Sequence, residues 1–228
     1  MTDKQPDGIV RAKTALDYIT GRMEKARNRF GAPPEKVQLV AVSKTFSGEQ
    51  VEPFLVAGRR VFGENRVQEA KDKWPELKAR YPDVQLHLIG PLQTNKAREA
   101  VALFDVIQSV DRDKLAGVLA SEMERAGRKL PCFVQVNIGG EEQKAGIPVD
   151  EAVDFVARCR TEHGLEIVGL MCIPPDGVPA APYFAQLAEL AAKAGVSEIS
   201  MGMSGDFETA IAMGATYVRV GSALFGKR

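Results

Sequence analysis

"VQLVAVSKTFSGEQVEPFLVA", residues 37 to 57, joins a β-branched apolar run to a helical stretch across a short polar bridge. Residues 37 to 43 are apolar on both parities, as suits a parallel strand covered by a helix on one side and packed side chains on the other. Residues 48 to 57 form the helix candidate that follows. Outward from this unit the same pairing recurs. Further strand-like runs occupy residues 60 to 63, 84 to 90, 105 to 110, 131 to 137, 166 to 173, 198 to 201 and 217 to 221, making eight. Helix candidates lie between them at 65 to 80, 94 to 102, 112 to 127, 149 to 161, 181 to 195 and 205 to 213. Eight parallel strands with intervening helices predict an α/β fold, a single (β/α)8 TIM barrel, and a doubly wound open sheet is the alternative. Ahead of the first strand, "GIVRAKTALDYITGRMEKARNRF" (8 to 30) repeats apolar residues at helical spacing and breaks at Gly31 and the "APP" beyond it. Little chain follows the eighth run, so this extra N-terminal helix is expected to cover the gap where a full eighth helix would pack. Residues 1 to 228 read as one domain, with "IPPDGVPAAP" (173 to 182) as a single loop.

Thirty basic and thirty acidic residues cancel in a chain of 228, and no arm concentrates either sign, which argues against a nucleic-acid partner. A small molecule is the expected ligand. Cys132, Cys159 and Cys172 have no C-x-x-C spacing, and with only His87 and His163 beside them a metal site is not expected. A reduced, cytoplasmic setting fits. The opening "MTDKQPDGIV" lacks a secretory pattern and no run of apolar residues is long enough for a membrane span.

Lys44 is the first chemical signal. It shares its direction with Val40 and Val42, and the small Ala41 and Ser43 face the other way, where a helix can pack closely. This puts Lys44 at the carboxyl end of the first strand, inside the rim where (β/α)8 enzymes place their chemistry. An amine partly withdrawn from water is a better nucleophile toward an aldehyde. Read alone, the lysine also suits a strand terminator whose charge reaches solvent. The second signal is "SMGMSGDFETAI" (200 to 211), where two glycines bring the backbone close to a ligand and Ser204 stands at a helix start. It and "VGSALFG" (220 to 226), with Gly221 and Ser222, occupy the loops that in this fold commonly hold phosphate. The plainer alternative makes Ser204 a helix cap and the glycines turn residues. Asp206 and Glu208 read as dipole partners of their own helix. Arg219, two residues before Gly221, either points into the barrel mouth or reaches solvent. An aldehyde-reactive lysine, a phosphate cradle and a central arginine match the three handles of pyridoxal 5′-phosphate (PLP), whose ring nitrogen takes an Asp or Arg partner. A phosphate-binding barrel without pyridoxal chemistry stays open on these residues.

"VAVSKTF", "FGENRVQEA", "HLIGPLQTNK", "IQSVD", "VQVNIGGEEQKAGI", "GLMCIPP", "SMGMSGDFETAI" and "VRVGSALFG" occur in that order across nearly the whole chain. Together they resemble the pyridoxal phosphate homeostasis proteins, single-domain relatives of the alanine racemase N-terminal barrel. The resemblance implies that Lys44 forms the Schiff base, that Ser204, Gly221 and Ser222 surround the phosphate, and that Arg219 faces the pyridine nitrogen. It also places Asn65, His87 and Met201 at the pocket. Each has a local alternative: a helix cap for Asn65, a hydrogen-bonded interior residue for His87 and core packing for Met201.

An arginine at the ring nitrogen leaves that nitrogen unprotonated, so the ring is a poor electron sink and racemisation needs bases on both faces of the substrate α-carbon. In the full racemase a second domain of the partner subunit supplies one of them, and this sequence stops with the barrel. The expectation is a monomeric carrier that buffers PLP and passes it to PLP-dependent apo-enzymes. A small amino-acid racemase is the alternative.

Overall fold

The computed structural model describes residues 5–30 and 37–226. Helix α1 (Gln5–Phe30) is followed by eight strands: β1 (Gln38–Val42), β2 (Val61–Glu64), β3 (Gln85–Leu88), β4 (Val106–Val110), β5 (Cys132–Val136), β6 (Ile167–Cys172), β7 (Glu198–Ser200) and β8 (Tyr217–Val220). Every neighbour pairs in parallel, and β8 returns to β1 with Val40 opposite Arg219 and Ala41 opposite Val220. The sheet is therefore a closed barrel, and the open-sheet alternative falls. Between the strands lie α2 (Gly48–Val56), α3 (Val67–Arg80), α4 (Ala97–Leu103), α5 (Asp113–Ala126), α6 (Ala152–Thr161), α7 (Ala181–Lys193) and α8 (Phe207–Ala212). The eighth helix, α9 (Ser222–Phe225), is a single turn.

Strand parity divides the barrel into two cores. Leu39 and Ala41 belong to the layer between strands and helices, which also holds Leu55, Trp74 and Phe155. Val40 points inward, where a β-carbon on Gly63 would lie 2.9 Å from its Cγ1. The barrel interior is not wholly apolar. His87, Gln108, Gln135, Ser200 and Arg219 are all buried. A register shift in β4, where Gln108 and Ser109 together span the place of one residue of β5, keeps Ile107 and Val110 both in the outer layer.

Helix α1 buries Ala12, Ile19, Met23 and Ala26. It packs on α2, α8 and the short α9, covering the side of the barrel where α9 has only a single turn. The break expected at 31 to 34 lies outside the described residues. Among the described residues no helix is long and apolar enough to cross a membrane, and no group of three His, Cys, Asp or Glu could hold a metal. The three cysteines are free and buried; burial pushes the Cys159 and Cys172 thiols up to about 12 and raises Cys132 as well, so none is poised as a thiolate.

Candidate functional site

At the carboxyl end of the strands, loops from opposite parts of the chain surround one cavity of about 480 Å³. Lys44, Asn65, Ser204, Arg219, Gly221 and Ser222 stand on its wall, with Val42, Phe46, Ile89, Ile173 and Met203 as apolar lining. A volume of this order is usual for small-ligand sites.

Lys44 leaves the end of β1 in a tight turn, closed by the Phe46 amide donating to the Ser43 carbonyl at 3.2 Å. Within that turn Thr45 takes φ 68°, a left-handed conformation that a β-branched residue rarely adopts. The strain is held from behind. Lys73 of α3 donates to the carbonyls of Ser43 (2.8 Å) and Phe46 (2.9 Å), and the Thr45 amide donates to Glu69. Lys73 also pairs at 2.7 Å with Glu64, whose side chain is fully buried. The same carboxylate oxygen accepts from Ser43 Oγ (2.7 Å) and Trp74 Nε1 (3.0 Å). A buried pair costs desolvation, and these added hydrogen bonds offset part of it. The backbone on both sides of Lys44 is thus clamped to α3.

Asn65 follows β2 and reaches the wall because the chain at Gly90 passes against it; a β-carbon at Gly90 would sit 2.3 Å from the Asn65 carbonyl oxygen. The next helix starts at Val67 with Arg66 at its cap position, so Asn65 is not that cap. On the opposite side, Gly202 has φ +86° and a β-carbon there would fall 2.4 Å from that of Ala210, which seats the loop on α8. Asp206, not Ser204, stands at the N-cap position of α8, and its carboxylate accepts from the Met203 amide at 2.6 Å. Ser204 Oγ instead crosses to the β8 loop, accepting from the amides of Gly221 (3.2 Å) and Ala223 (3.4 Å). The expectation for Glu208 also changes: it grips Arg22 of α1 with both oxygens, at 2.8 and 3.0 Å. That contact lowers the Glu208 pKa and raises that of Arg22.

Arg219 is only 4% exposed, and its two acceptors are neutral: Ser200 Oγ and the Cys172 carbonyl, each at 2.7 Å. Burial lowers its pKa, opposed by Cys172 and Asp206. A guanidinium starts so high that it keeps its proton, leaving a buried cation at the cavity floor.

Two residues expected at the pocket are not on its wall. Met201 is fully buried in the hydrophobic layer, the core-packing alternative. His87 lies inside the barrel, its Nδ1 2.8 Å from Gln108 Nε2 and its ring beside Tyr217. Burial pushes His87 down to about 4, with Asp105 opposing and Arg59 assisting, so the ring is neutral near pH 7. The residues missed by sequence reasoning are Phe46, Ile173 and Met203 on the wall, and Gln108 and Ser200 beneath Arg219. A glutamine in "VIQSV" was the visible sign of the latter, a polar side chain in a run that is otherwise mostly apolar.

The fold and site define a (β/α)8 barrel with a lysine at the carboxyl end of its first strand and an arginine on its last, the architecture of the alanine racemase N-terminal domain, whose family matches residues 15–228. Within that class the relatives narrow the assignment. A pyridoxal phosphate homeostasis protein of Vibrio cholerae is 38% identical over 223 residues, covering 93% of this chain and 94% of its own. PipY of Synechococcus elongatus, solved with PLP bound, is 39% identical with a TM-score of 0.77 over 90% of this chain and all of its own. Alanine racemase of Clostridium difficile, 14% identical with a TM-score of 0.71, shares the fold over 93% of this chain but only 57% of the racemase. The chain belongs to the pyridoxal phosphate homeostasis protein family.

Proposed function

We propose that this protein binds pyridoxal 5′-phosphate at the cavity above β1 and β8 and serves intracellular PLP homeostasis as a cytoplasmic, monomeric carrier. The observation that carries this reading is the convergence of Lys44, Arg219 and the Ser204, Gly221 and Ser222 group on one wall. PLP supplies an aldehyde that condenses reversibly with a primary amine, a pyridine nitrogen that accepts a hydrogen bond and a phosphate dianion. The residues present fit all three. Lys44 offers the amine from a clamped turn. Arg219, buried against neutral acceptors, has N–H groups left over and a positive charge that an anionic ligand offsets. Ser204 Oγ, held in place by the Gly221 and Ala223 amides, keeps its own proton to donate beside Ser222, where a phosphate needs donors. The bacterial relatives named for PLP homeostasis, and PipY with its bound PLP, support the same reading.

The wall also argues for holding rather than turnover. Among the described residues Lys44 and Arg219 are its titratable side chains, and the arginine cannot act as a base at neutral pH. Racemisation requires a base on each face of the α-carbon, and the wall offers one. PLP-dependent apo-enzymes are the recipients this reading implies.

Borohydride reduction of the PLP-loaded protein followed by peptide mass analysis tests it. A pyridoxyl adduct on Lys44 is expected, and Lys44→Ala should lose the visible absorption band with little change in stability. An adduct on Lys96 or Lys144 in place of Lys44, or interconversion of L- and D-amino acids well above the rate of free PLP, would overturn it.

A further inference from the structure

The buried groups beneath the cavity form one continuous hydrogen-bonded chain. Arg219 Nη1 donates to Ser200 Oγ at 2.7 Å, Ser200 Oγ donates to Gln108 Oε1 at 2.6 Å, and Gln108 Nε2 lies 2.8 Å from His87 Nδ1. It runs across four strands, β8, β7, β4 and β3, and all four side chains are buried. We propose that Ser200, Gln108 and His87 are positioning residues which hold Arg219 as a fixed hydrogen-bond donor toward the pyridine nitrogen of the bound cofactor. The proposal rests on the PLP reading above and extends it to three residues that do not touch the ligand.

The order of protons in the chain is set from the arginine end, where the guanidinium can only donate. Gln108 Nε2 can likewise only donate, so it meets the Nδ1 lone pair of a neutral His87 whose proton is on Nε2, an atom without a hydrogen-bond partner among the described residues. That orientation of the glutamine turns its carbonyl toward Ser200, which takes the hydroxyl proton. Ser200 Oγ is left with lone pairs alone for Arg219, so the arginine is met by an acceptor and its Nη1 is committed away from the cavity. The Cys172 carbonyl fixes Nη2 in the same way at 2.7 Å. Both anchors together define the plane of the guanidinium. A reversed glutamine would present N–H to Ser200 and leave the hydroxyl proton without an acceptor among its partners in the structure. His87 resists the protonation that would cause this reversal. Of the charged and titratable groups around it, Asp105 favours the charged ring, while Arg59 and burial, the largest influence, oppose it, and Tyr217 packs its ring alongside.

The test uses the full chain loaded with PLP carrying a ¹⁵N label in the pyridine ring, for wild type, Ser200→Ala, Ser200→Thr and Gln108→Met. In the wild type the ring nitrogen should give the signal of an unprotonated, hydrogen-bonded pyridine across the neutral pH range. Ser200→Ala should move that signal toward the protonated form and weaken PLP retention about tenfold or more, the loss of one hydrogen bond to a charged group. Ser200→Thr, which keeps the hydroxyl, should restore both. Gln108→Met frees the Ser200 proton and should shift the signal the same way by less, and it carries the test if Ser200→Ala does not fold. Val61→Ala, inside the barrel and off the chain, controls for simple loosening of the interior. An unchanged nitrogen signal and retention in Ser200→Ala and Gln108→Met would overturn the positioning chain while leaving PLP binding intact. Failure of the wild type to take up PLP would instead remove the reading on which the chain depends.

Discussion

His87 carries a proton linkage of the barrel interior that falls in an accessible pH range. Its folded pKa of about 4 lies below the ordinary 6.5, so as pH falls through that window the unfolded chain takes up a proton that the fold refuses. Stability associated with the neutral ring is complete above pH 6.5 and is lost progressively down to about pH 4. The full difference is on the order of 3 kcal/mol. His87→Asn keeps an acceptor for Gln108 and removes the titration, so its deficit relative to wild type should shrink as pH drops from 7 to 4.5. Urea unfolding at the two pH values checks this, and parallel losses in both proteins would refute it. The sequence marks His87 as an interior or pocket residue but not which, because its partner Gln108 is 21 residues away and Ser200 a further 92. Only the register of four strands brings them together. Lys44 and Arg219 were legible because each stands at a strand end, where position along one strand already states the location in the barrel.

The clamp behind Lys44 belongs to the scale of elements, since it ties the turn after β1 to α3. Its lysine and glutamate lie nine positions apart and resemble ordinary surface charges of an amphipathic helix and its approach. Nothing in their spacing announces a buried pair. Removing one partner strands the other charge in the outer core. Lys73→Met should therefore destabilise the protein by about 3–5 kcal/mol, while Lys73→Met combined with Glu64→Gln should cost less than the single change. Trp74, the one tryptophan of the chain, bonds the same carboxylate and is fully buried, so its fluorescence reports both the unfolding transition and any change of environment in the folded variant. A larger loss in the double variant would contradict the ion-pair account. Element boundaries follow the same logic of local against distant causes. The strands match the apolar runs to within two residues because burial on both faces dictates those runs. The helix candidates at 94 to 102 and 149 to 161 begin on the single 3-10 turns Thr94–Lys96 and Val149–Glu151, whose tighter winding the sequence does not distinguish, and the one-turn α9 escaped because so short a turn carries no periodicity.

For the molecule as a whole, the open question is whether α1 is an accessory or part of the barrel. It occupies the place beside α2 and α8 that a full eighth helix would fill, and it is joined to α8 both by the Arg22–Glu208 pair and by the stacking of Arg22 over Phe207, 4.7 Å from the ring centre. That pair is partly exposed and contributes little to stability. Ile19 is different: it is fully buried and contacts the same continuous apolar layer as Trp74 on α3. We propose that residues 1 to 228 fold as one cooperative domain, in which loss of α1 opens the ring of helices and unzips the β1–β8 seam beneath it. Ile19→Ala should then cost about 2–5 kcal/mol, the range for a buried aliphatic truncated to alanine. The loss should appear as one shifted urea transition, with Trp74 fluorescence and far-ultraviolet circular dichroism coinciding. If α1 were merely laid on a self-sufficient barrel, the dichroism would begin to fall before the fluorescence moved, and the tryptophan midpoint would stay that of wild type. Coincident midpoints shifted to lower urea are the result that makes α1 a structural part of the site-bearing barrel, since α9, which begins at Ser222, rests against it.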